Sequence, residues 1–173
     1  VVRSRRVNVN FSRLCNARDK VARSGGFSTL NLNLFDDVNF NARILETRFT
    51  DSGNVSMVGA IEGIPQSQLI MVTTGDIISM NIQVPGHFYQ VRSEANGIHQ
   101  VIEIDQTQFP SSHQPVPVKN TGRVAAPPIA AASDDGSIVD VLVVYTGDAR
   151  AAVGGTTAME NLIDLAVTET NTG

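Results

Sequence analysis

The sequence predicts a mainly β protein, built as an antiparallel sandwich, barrel or rolled sheet, followed by a linker and a C-terminal strand and helix. Between residues 30 and 104, short runs alternate apolar and polar side chains, which is the period of a half-buried strand. Glycine, proline, asparagine and aspartate interrupt these runs roughly every 8–12 residues, a spacing typical of all-β domains. A helical period appears only after residue 154.

Composition limits the class of protein. The chain has 173 residues, of which 42% are hydrophobic and 17% charged, so it is long enough for one folded domain with a core, or for a domain and a fragment. A net charge of -4 gives no overall attraction to nucleic acid, and no apolar run reaches the roughly 20 residues that span a membrane. We therefore expect neither nucleic acid nor a membrane as a partner.

The N-terminal segment is basic, although the chain as a whole is acidic. Before Gly25 it carries arginine at six positions and one lysine, against the single acid Asp19. Two hypotheses follow: an arm that binds nucleic acid or an acidic surface, or a solvated arm whose strands pair with the acidic remainder. We favour the second hypothesis.

The strands are predicted in order along the chain. Val7, Val9 and Phe11 alternate with polar residues, and so do the leucines up to Phe35. The run from Val38 to Phe49 changes phase near Ile44, which predicts a β-bulge. Further strands are expected at Val55–Ile61, Leu69–Thr73, Ile78–Val84, Phe88–Arg92 and Ile98–Ile104, with turns at Asp36-Asp37, Gly75-Asp76, Pro85-Gly86 and Asn96-Gly97.

These patterns divide the chain into three parts: a β domain over residues 1–106, a linker over 107–136 and a strand–helix segment over 137–173. The linker is rich in proline, serine and alanine, which favour extended and protease-sensitive chain. Its candidate processing residues are Ala125, Ala126, Ala130, Ala131 and Ser133.

The C-terminal segment is expected to be a strand followed by a helix. Val139–Tyr145 is a nearly continuous β-branched run of the kind covered on both faces in α/β sheets. Thr157 and Glu160 have the spacing of a capping box for a helix over residues 154–171. The face predicted to be buried consists of Met159, Leu162, Ile163, Ala166, Val167 and Thr170.

This strand–helix pair resembles the opening of the catalytic domain in bacterial reprolysin-like zinc metallopeptidases of the metzincin clan. The preceding part is similar to their prosegments at four places. These are residues 32–37 (LNLFDD), 59–67 (GAIEGIPQS), 86–92 (GHFYQVR) and 99–105 (HQVIEID).

The resemblance implies a secreted zinc endopeptidase made as a precursor, with zinc as the cofactor of the parent enzyme. The zinc signature H-E-x-x-H-x-x-G-x-x-H is absent from this sequence, and His87, His99 and His113 do not have its spacing. We therefore assign no catalytic residue and no zinc ligand of the enzyme to this chain, and expect it to be inactive alone.

Other candidate residues have competing interpretations. Cys15 could be an inhibitory zinc ligand, as in some metzincin prosegments, or a small buried apolar residue. His87 and Tyr89 could form a binding loop or be structural. Five aspartates are candidate calcium ligands: Asp36, Asp37, Asp51, Asp134 and Asp135. Their spacing does not match the D-x-D-x-D-G pattern of a calcium-binding loop.

Two functions follow from these observations. The first is a prosegment that assists folding of its cognate catalytic domain and keeps the protease latent until the linker is cleaved. The second is an extracellular structural or filament-forming protein that self-associates by strand exchange through the run at Val139–Tyr145.

Overall fold

The computed structural model describes residues 1–14, 28–50, 53–94, 97–109 and 141–172. The chain divides into two compact units, Val1–Gln108 with Tyr145–Gly173, and Phe109–Val144. Cys15, His113 and the processing residues Ala125, Ala126, Ala130, Ala131 and Ser133 lie outside the described residues, as do Asp51, Asp134 and Asp135. Among the helices that the structure describes, none has the length and apolar character to cross a bilayer.

The first unit is built on one antiparallel sheet of eight strands in the order β1-β8-β7-β6-β5-β4-β3-β2. The sheet curls into a half-barrel, so the rolled-sheet form of the predicted fold is the one observed. Two helices and a 3-10 turn over Gln106–Gln108 follow the strands. The elements are β1 Arg3–Val7, β2 Ser28–Phe35, β3 Val38–Phe49, β4 Val55–Ile61, β5 Gln68–Thr74, β6 Ile77–Val84, β7 His87–Ser93, β8 His99–Ile104, α1 Gly147–Ala152 and α2 Thr156–Thr170.

The sequence predicted this sheet well, because its alternation reflects which face of each strand is buried. The predicted bulge is present in β3, where the register with β4 shifts between Ile44 and Glu46. The concave face of the sheet holds the main core. Its fully buried side chains include Ile44, Met57, Leu69, Ile78 and Ile82.

The motif at residues 59–67 has a structural role. A Cβ at Gly59 would lie 2.5 Å from the backbone oxygen of Arg43, so a larger residue has no room between β3 and β4. Ser67 closes the turn that follows β4. Its hydroxyl accepts from the Ile61 N–H (2.9 Å) and donates to the Ile64 oxygen (2.7 Å). This part of the resemblance therefore reflects packing rather than chemistry.

The N-terminal strand differs from the prediction. Strand β1 ends at Val7, and residues 11–14 are helical instead of continuing an alternating strand. Asn10 starts this helical turn, since its side-chain oxygen accepts from the Arg13 N–H at 3.1 Å.

The expected strand at Val139–Tyr145 is wrong for the residues that the structure describes. Residues 141–146 have no regular secondary structure, and the side chains from Val141 to Tyr145 are 41–88% exposed. A β-branched run forms a strand only when neighbouring strands supply hydrogen bonds, and the described sheet pairs its strands without it.

Helix α2 is present where it was predicted, but its start and its buried face differ. It begins after Gly154 and Gly155, whose φ values of 98° and 115° favour glycine, and no side chain caps it, so the capping-box prediction is wrong. The buried residues are Ala158, Met159, Asn161 and Leu165, whereas Val167 is 46% exposed. The short helix α1 was not predicted; its N-cap is Thr146, which accepts from the Ala149 N–H.

Candidate functional site

The two edges of the curled sheet, β1 and β2, are joined by arginine side chains. Arg5 donates through Nε to the Leu34 oxygen at 2.5 Å and through Nη2 to the Asn33 oxygen at 2.6 Å. Arg3 reaches Asp37 in the β2–β3 turn at 2.7 Å and lies 4.2 Å above the ring of Phe35. These contacts take the place of a backbone ladder between the edges.

The basic N-terminal strand is therefore paired with acidic groups of the same chain. Arg3 forms ion pairs with Asp37 and Glu103, and Arg6 forms one with Glu94 at 2.8 Å. This confirms, for β1, the prediction that the basic segment pairs with the acidic remainder.

Glu103 is the centre of what we call the rim cluster, which consists of Arg3, Asp37, His87, Tyr89 and Glu103. The Glu103 side chain is 7% exposed and accepts from Arg3 Nε at 2.6 Å. Its other oxygen lies 2.9 Å from His87 Nδ1. The imidazole of His87 is stacked on the Tyr89 ring, with 6.0 Å between centroids and 8° between planes.

Charge in the rim cluster is stabilised by these contacts. Burial alone would raise the pKa of Glu103, but hydrogen bonds from His87 and Arg3 and their charges together hold it below its ordinary value. The hydrogen bond from Arg3 likewise lowers the pKa of Asp37. Burial raises the pKa of Tyr89, so the phenol stays protonated at neutral pH.

A recess of about 360 Å³ opens beside this cluster. His87 and Asp37 form its polar edge, while Phe40, Ile64 and Tyr89 contribute apolar and aromatic surface. The motifs at residues 32–37, 59–67, 86–92 and 99–105 each contribute a residue to the recess or to the cluster beside it. The structure thus brings separate parts of the resemblance together at one rim of the sheet.

The second site is the contact between α2 and the outer face of the sheet. We call it the helix interface, and it consists of Asn54, Asn81, Asn161, Asp164 and Glu169. Asp164 accepts from the Thr50 hydroxyl (2.8 Å) and from Asn54 Nδ2 (2.7 Å). Asn161 donates to the Thr74 hydroxyl at 2.9 Å.

A partly buried arginine, Arg92, supports the other end of this interface. Arg92 donates to the Asn81 side-chain oxygen at 2.7 Å, and Asn81 Nδ2 lies 3.1 Å from both carboxylate oxygens of Glu169. Burial lowers the pKa of Arg92 to about 10, and the charge of Glu169 opposes that shift. Leu165 completes the contact by packing on Ile70 and Val72.

The polar contacts explain why α2 is rotated from the predicted orientation. Asn161, Asp164 and Glu169 share the face that meets polar side chains of the sheet, so the helix turns away from its most apolar face. The apolar pattern on the helix does not indicate these partners, which are 87 to 114 residues away in sequence.

The sequence-predicted site residues are separated by the structure. His87 is exposed at the rim, and Tyr89 is buried beneath it. His99 is fully buried, where burial lowers its pKa and its Nε2 accepts from the Ile78 N–H at 3.2 Å. Within the described ranges, no group of three or more histidine, cysteine, aspartate or glutamate residues could hold a metal ion.

Sequence reasoning missed Glu103, Arg3 and Arg92 as functional candidates. Glu103 and Arg92 lie in the motifs at residues 99–105 and 86–92, and Arg3 lies in the basic N-terminal segment. These positions could have marked the three residues as candidates. The pairing of Arg3 with Glu103 joins residues 100 positions apart and has no local signature.

Comparison with known proteins relates the chain to metalloendopeptidases. A peptidyl-Asp metalloendopeptidase of Xanthomonas campestris pv. campestris is 34% identical over 116 residues, covering 63% of this chain and 27% of the relative. Proteins of the same name from Stenotrophomonas maltophilia strains R551-3 and K279a are each 32% identical over 116 residues, which again cover 63% of this chain and 27% of the relative. No family model matches the chain. No solved structure matches it either.

The chain is thus a metallopeptidase-related protein, as the resemblance predicted at its coarsest level. It spans about 27% of the length of the relatives that it matches.

Replacing Glu103 by glutamine should destabilise the β domain in a pH-dependent way. At pH 7 the change leaves Arg3 without its buried partner and should lower the free energy of unfolding by about 1.5–3 kcal/mol. Because the pKa of Glu103 is lowered by folding, its stabilising effect is present above the ordinary value of 4.5 and is lost as the pH falls through the folded value.

Urea unfolding of wild type and Glu103→Gln between pH 3 and 8 measures this difference. Glu160→Gln, an exposed change on α2, is the matched control and should behave as wild type throughout. A wild-type advantage that stays constant down to pH 3 would contradict the assignment.

Replacing Asp164 by alanine should loosen α2 from the sheet. The variant loses the hydrogen bonds from Thr50 and from buried Asn54, at a cost of about 1–3 kcal/mol. Amide hydrogen exchange in α2 should then be faster by about tenfold or more. Glu160→Ala, on the exposed side of the same helix, should leave the exchange unchanged; equal exchange in both variants would count against the interface.

Proposed function

We propose that this chain is the prosegment of a secreted zinc metalloendopeptidase, joined to the first elements of the catalytic domain. The β domain would assist folding of the enzyme and keep it latent. The observation that supports this best is the helix interface. The segment that resembles the start of a catalytic domain is bound to the outer face of the β domain by Asn161, Asp164 and Glu169.

The exposed run before the helices fits the same function. Val141–Tyr145 carries large apolar side chains that the described part of the chain leaves in solvent. Its β-branched composition suits a strand covered on both faces. In a precursor, the remaining catalytic domain would provide that cover, while α2 stays attached to the β domain.

A groove beside α2 offers a surface for the rest of such an enzyme. It has a volume of about 610 Å³ and is lined by residues of β3, β4 and α2, among them Phe49, Val58 and Val167. Phe49 is 77% exposed and Val167 is 46% exposed, so apolar surface on both walls is free for a partner.

The chain should therefore bind and inhibit a mature relative such as the Xanthomonas campestris enzyme. We expect inhibition of peptide hydrolysis with a Kd near or below about 1 μM, because the docking surface is preformed. Phe49→Asp should weaken inhibition by about tenfold or more, whereas Val1→Asp, an exposed site that does not line the groove, should not.

Titration of enzyme activity against each chain gives the inhibition constants, and calorimetry gives the binding constants. Absence of both binding and inhibition at about 100 μM chain would refute the prosegment function.

Maturation would require a cut in the linker, and the relatives' name suggests where. Asp134 and Asp135 are the only acidic residues between positions 106 and 139, and they follow Ser133 directly. An enzyme that acts at peptidyl-Asp bonds would cut beside these residues, next to the processing residues expected from composition.

Incubating the chain with a trace of the mature relative tests this site. Mass spectrometry should show cleavage next to Asp134 or Asp135, and the double change to alanine should slow cleavage in the linker by about tenfold or more, as expected when a specific substrate contact is lost. Cleavage confined to the alanine-rich stretch, unchanged in the double variant, would place the site there instead.

A second candidate function is self-association by strand addition, which the exposure of Val141–Tyr145 favours. A protein of this kind would form ordered assemblies in size-exclusion chromatography and electron microscopy. A prosegment would stay monomeric until it meets the enzyme.

A further inference from the structure

His99 is a fully buried histidine at a point where four strands of the sheet meet. It is the first residue of β8, and its register partners are Val7 of β1 and Ser93 of β7. Its Nε2 accepts a hydrogen bond from the backbone N–H of Ile78, in β6, at 3.2 Å. The state of this one ring therefore bears on β1, β6, β7 and β8 together.

The ring also supports the helical turn at residues 11–14, which we call the N-terminal turn. The centroids of the Phe11 and His99 rings are 5.9 Å apart, and their planes are inclined by 55°. Leu14 at the end of the turn is buried, and Phe11 packs against the main core. In the described part of the chain this turn belongs to no strand of the sheet, so side-chain contacts attach it.

The hydrogen bond from Ile78 requires the neutral form of the His99 ring. Because Nε2 accepts, it carries a lone pair, and the single ring proton lies on Nδ1. Among the described residues, no hydrogen-bond partner of normal geometry reaches Nδ1. A second proton would enter at Nε2 and face the Ile78 N–H, donor against donor. The protonated ring therefore cannot keep its present position.

The groups around His99 do not compensate for its burial. Burial lowers the pKa of His99 below its ordinary value of 6.5. The backbone of Gly97 and the charge of Asp76, in the turn before β6, act in the opposite direction and are outweighed. Because the pKa is lower in the folded state, the stability that depends on the neutral ring is complete above pH 6.5. It is lost as the pH falls from 6.5 through the folded value.

We propose that His99 is a pH-sensitive lock that holds the N-terminal turn and β1 on the sheet and releases them on mild acidification. A proton from solvent binds Nε2, the hydrogen bond from Ile78 breaks, and the ring moves away from Phe11; no covalent bond of the chain changes. Strand β1 carries Arg3 and Arg5, so its release also loosens the connection between the two edges of the sheet. The lock is a property of the β domain and does not depend on the proposed prosegment function.

Hydrogen exchange of the full chain, measured by mass spectrometry at about pH 7.5 and about pH 5 and corrected for intrinsic exchange rates, tests the lock. One proton changes an equilibrium by up to about tenfold per pH unit. We therefore expect exchange in β1, in the N-terminal turn and at the start of β6 to be faster by about fivefold or more at the lower pH. Strands β3 and β4, which β5 separates from β6, should not change.

Two variants assign the response to His99. In His99→Gln the side-chain oxygen can accept from the Ile78 N–H but does not titrate in this range, so the pH response of exchange should disappear. The double change His87→Asn and His113→Gln leaves His99 as the only histidine of the chain and should keep the wild-type response.

Each outcome supports or overturns the lock. A response that persists in His99→Gln, or that is lost in the double variant, would overturn it, and so would acceleration spread evenly over all strands. If His99→Gln does not fold, the double variant decides by NMR. Its one imidazole signal should titrate over the same pH range as the exchange response, and a signal that titrates in another range, or not at all, would refute the lock.

Discussion

In the described part of the chain, the two edge strands of the curled sheet are connected by arginine side chains and not by a backbone ladder. Strands β1 and β2 are not paired with each other in the sheet, yet Arg3 and Arg5 on β1 reach the turn and the carbonyl groups of β2. The guanidinium group suits this task because its donors form a rigid fork and its charge persists at any physiological pH. The buried carboxylate of Glu103 accepts from Arg3 Nε and so holds the guanidinium group in position to reach Asp37.

The same carboxylate links the closure of the sheet to its surface. One carboxylate oxygen of Glu103 accepts a hydrogen bond from Arg3, and the other lies within hydrogen-bond distance of His87 at the rim. On the opposite face, Asn81 donates to Glu169 of α2 and accepts from Arg92 of the neighbouring strand. Partly buried charge thus appears both where the two edges of the sheet are connected and where α2 packs on the sheet.

The sheet could be predicted from sequence because each strand records its buried face locally. Alternation in β2, β3 and β6 and the change of phase near Ile44 were sufficient to place strands and bulge. The helix interface could not be predicted in the same way. Asn161 and Asp164 look like solvent-facing residues until their partners, Thr74 and Asn54, are brought next to them by the fold.

The exposed run at Val141–Tyr145 shows a second limit of sequence patterns. The β-branched composition of these residues predicts a strand, but a strand exists only where another strand pairs with it. The pattern therefore indicates that the segment needs a neighbouring strand and apolar cover. The described part of this chain leaves its side chains exposed. For Cys15 and the linker residues, which lie outside the described residues, the sequence-based predictions stay as they were stated.

If the chain is a prosegment, as proposed, the β domain should contact a metalloendopeptidase along the groove between β3, β4 and α2. Hydrogen exchange measured by mass spectrometry, on the chain alone and with the mature Xanthomonas campestris enzyme, tests this most directly. The prosegment function predicts slower exchange in β3, β4 and α2, the elements that line this groove. Exchange unchanged in these segments, with protection elsewhere or nowhere, would contradict it.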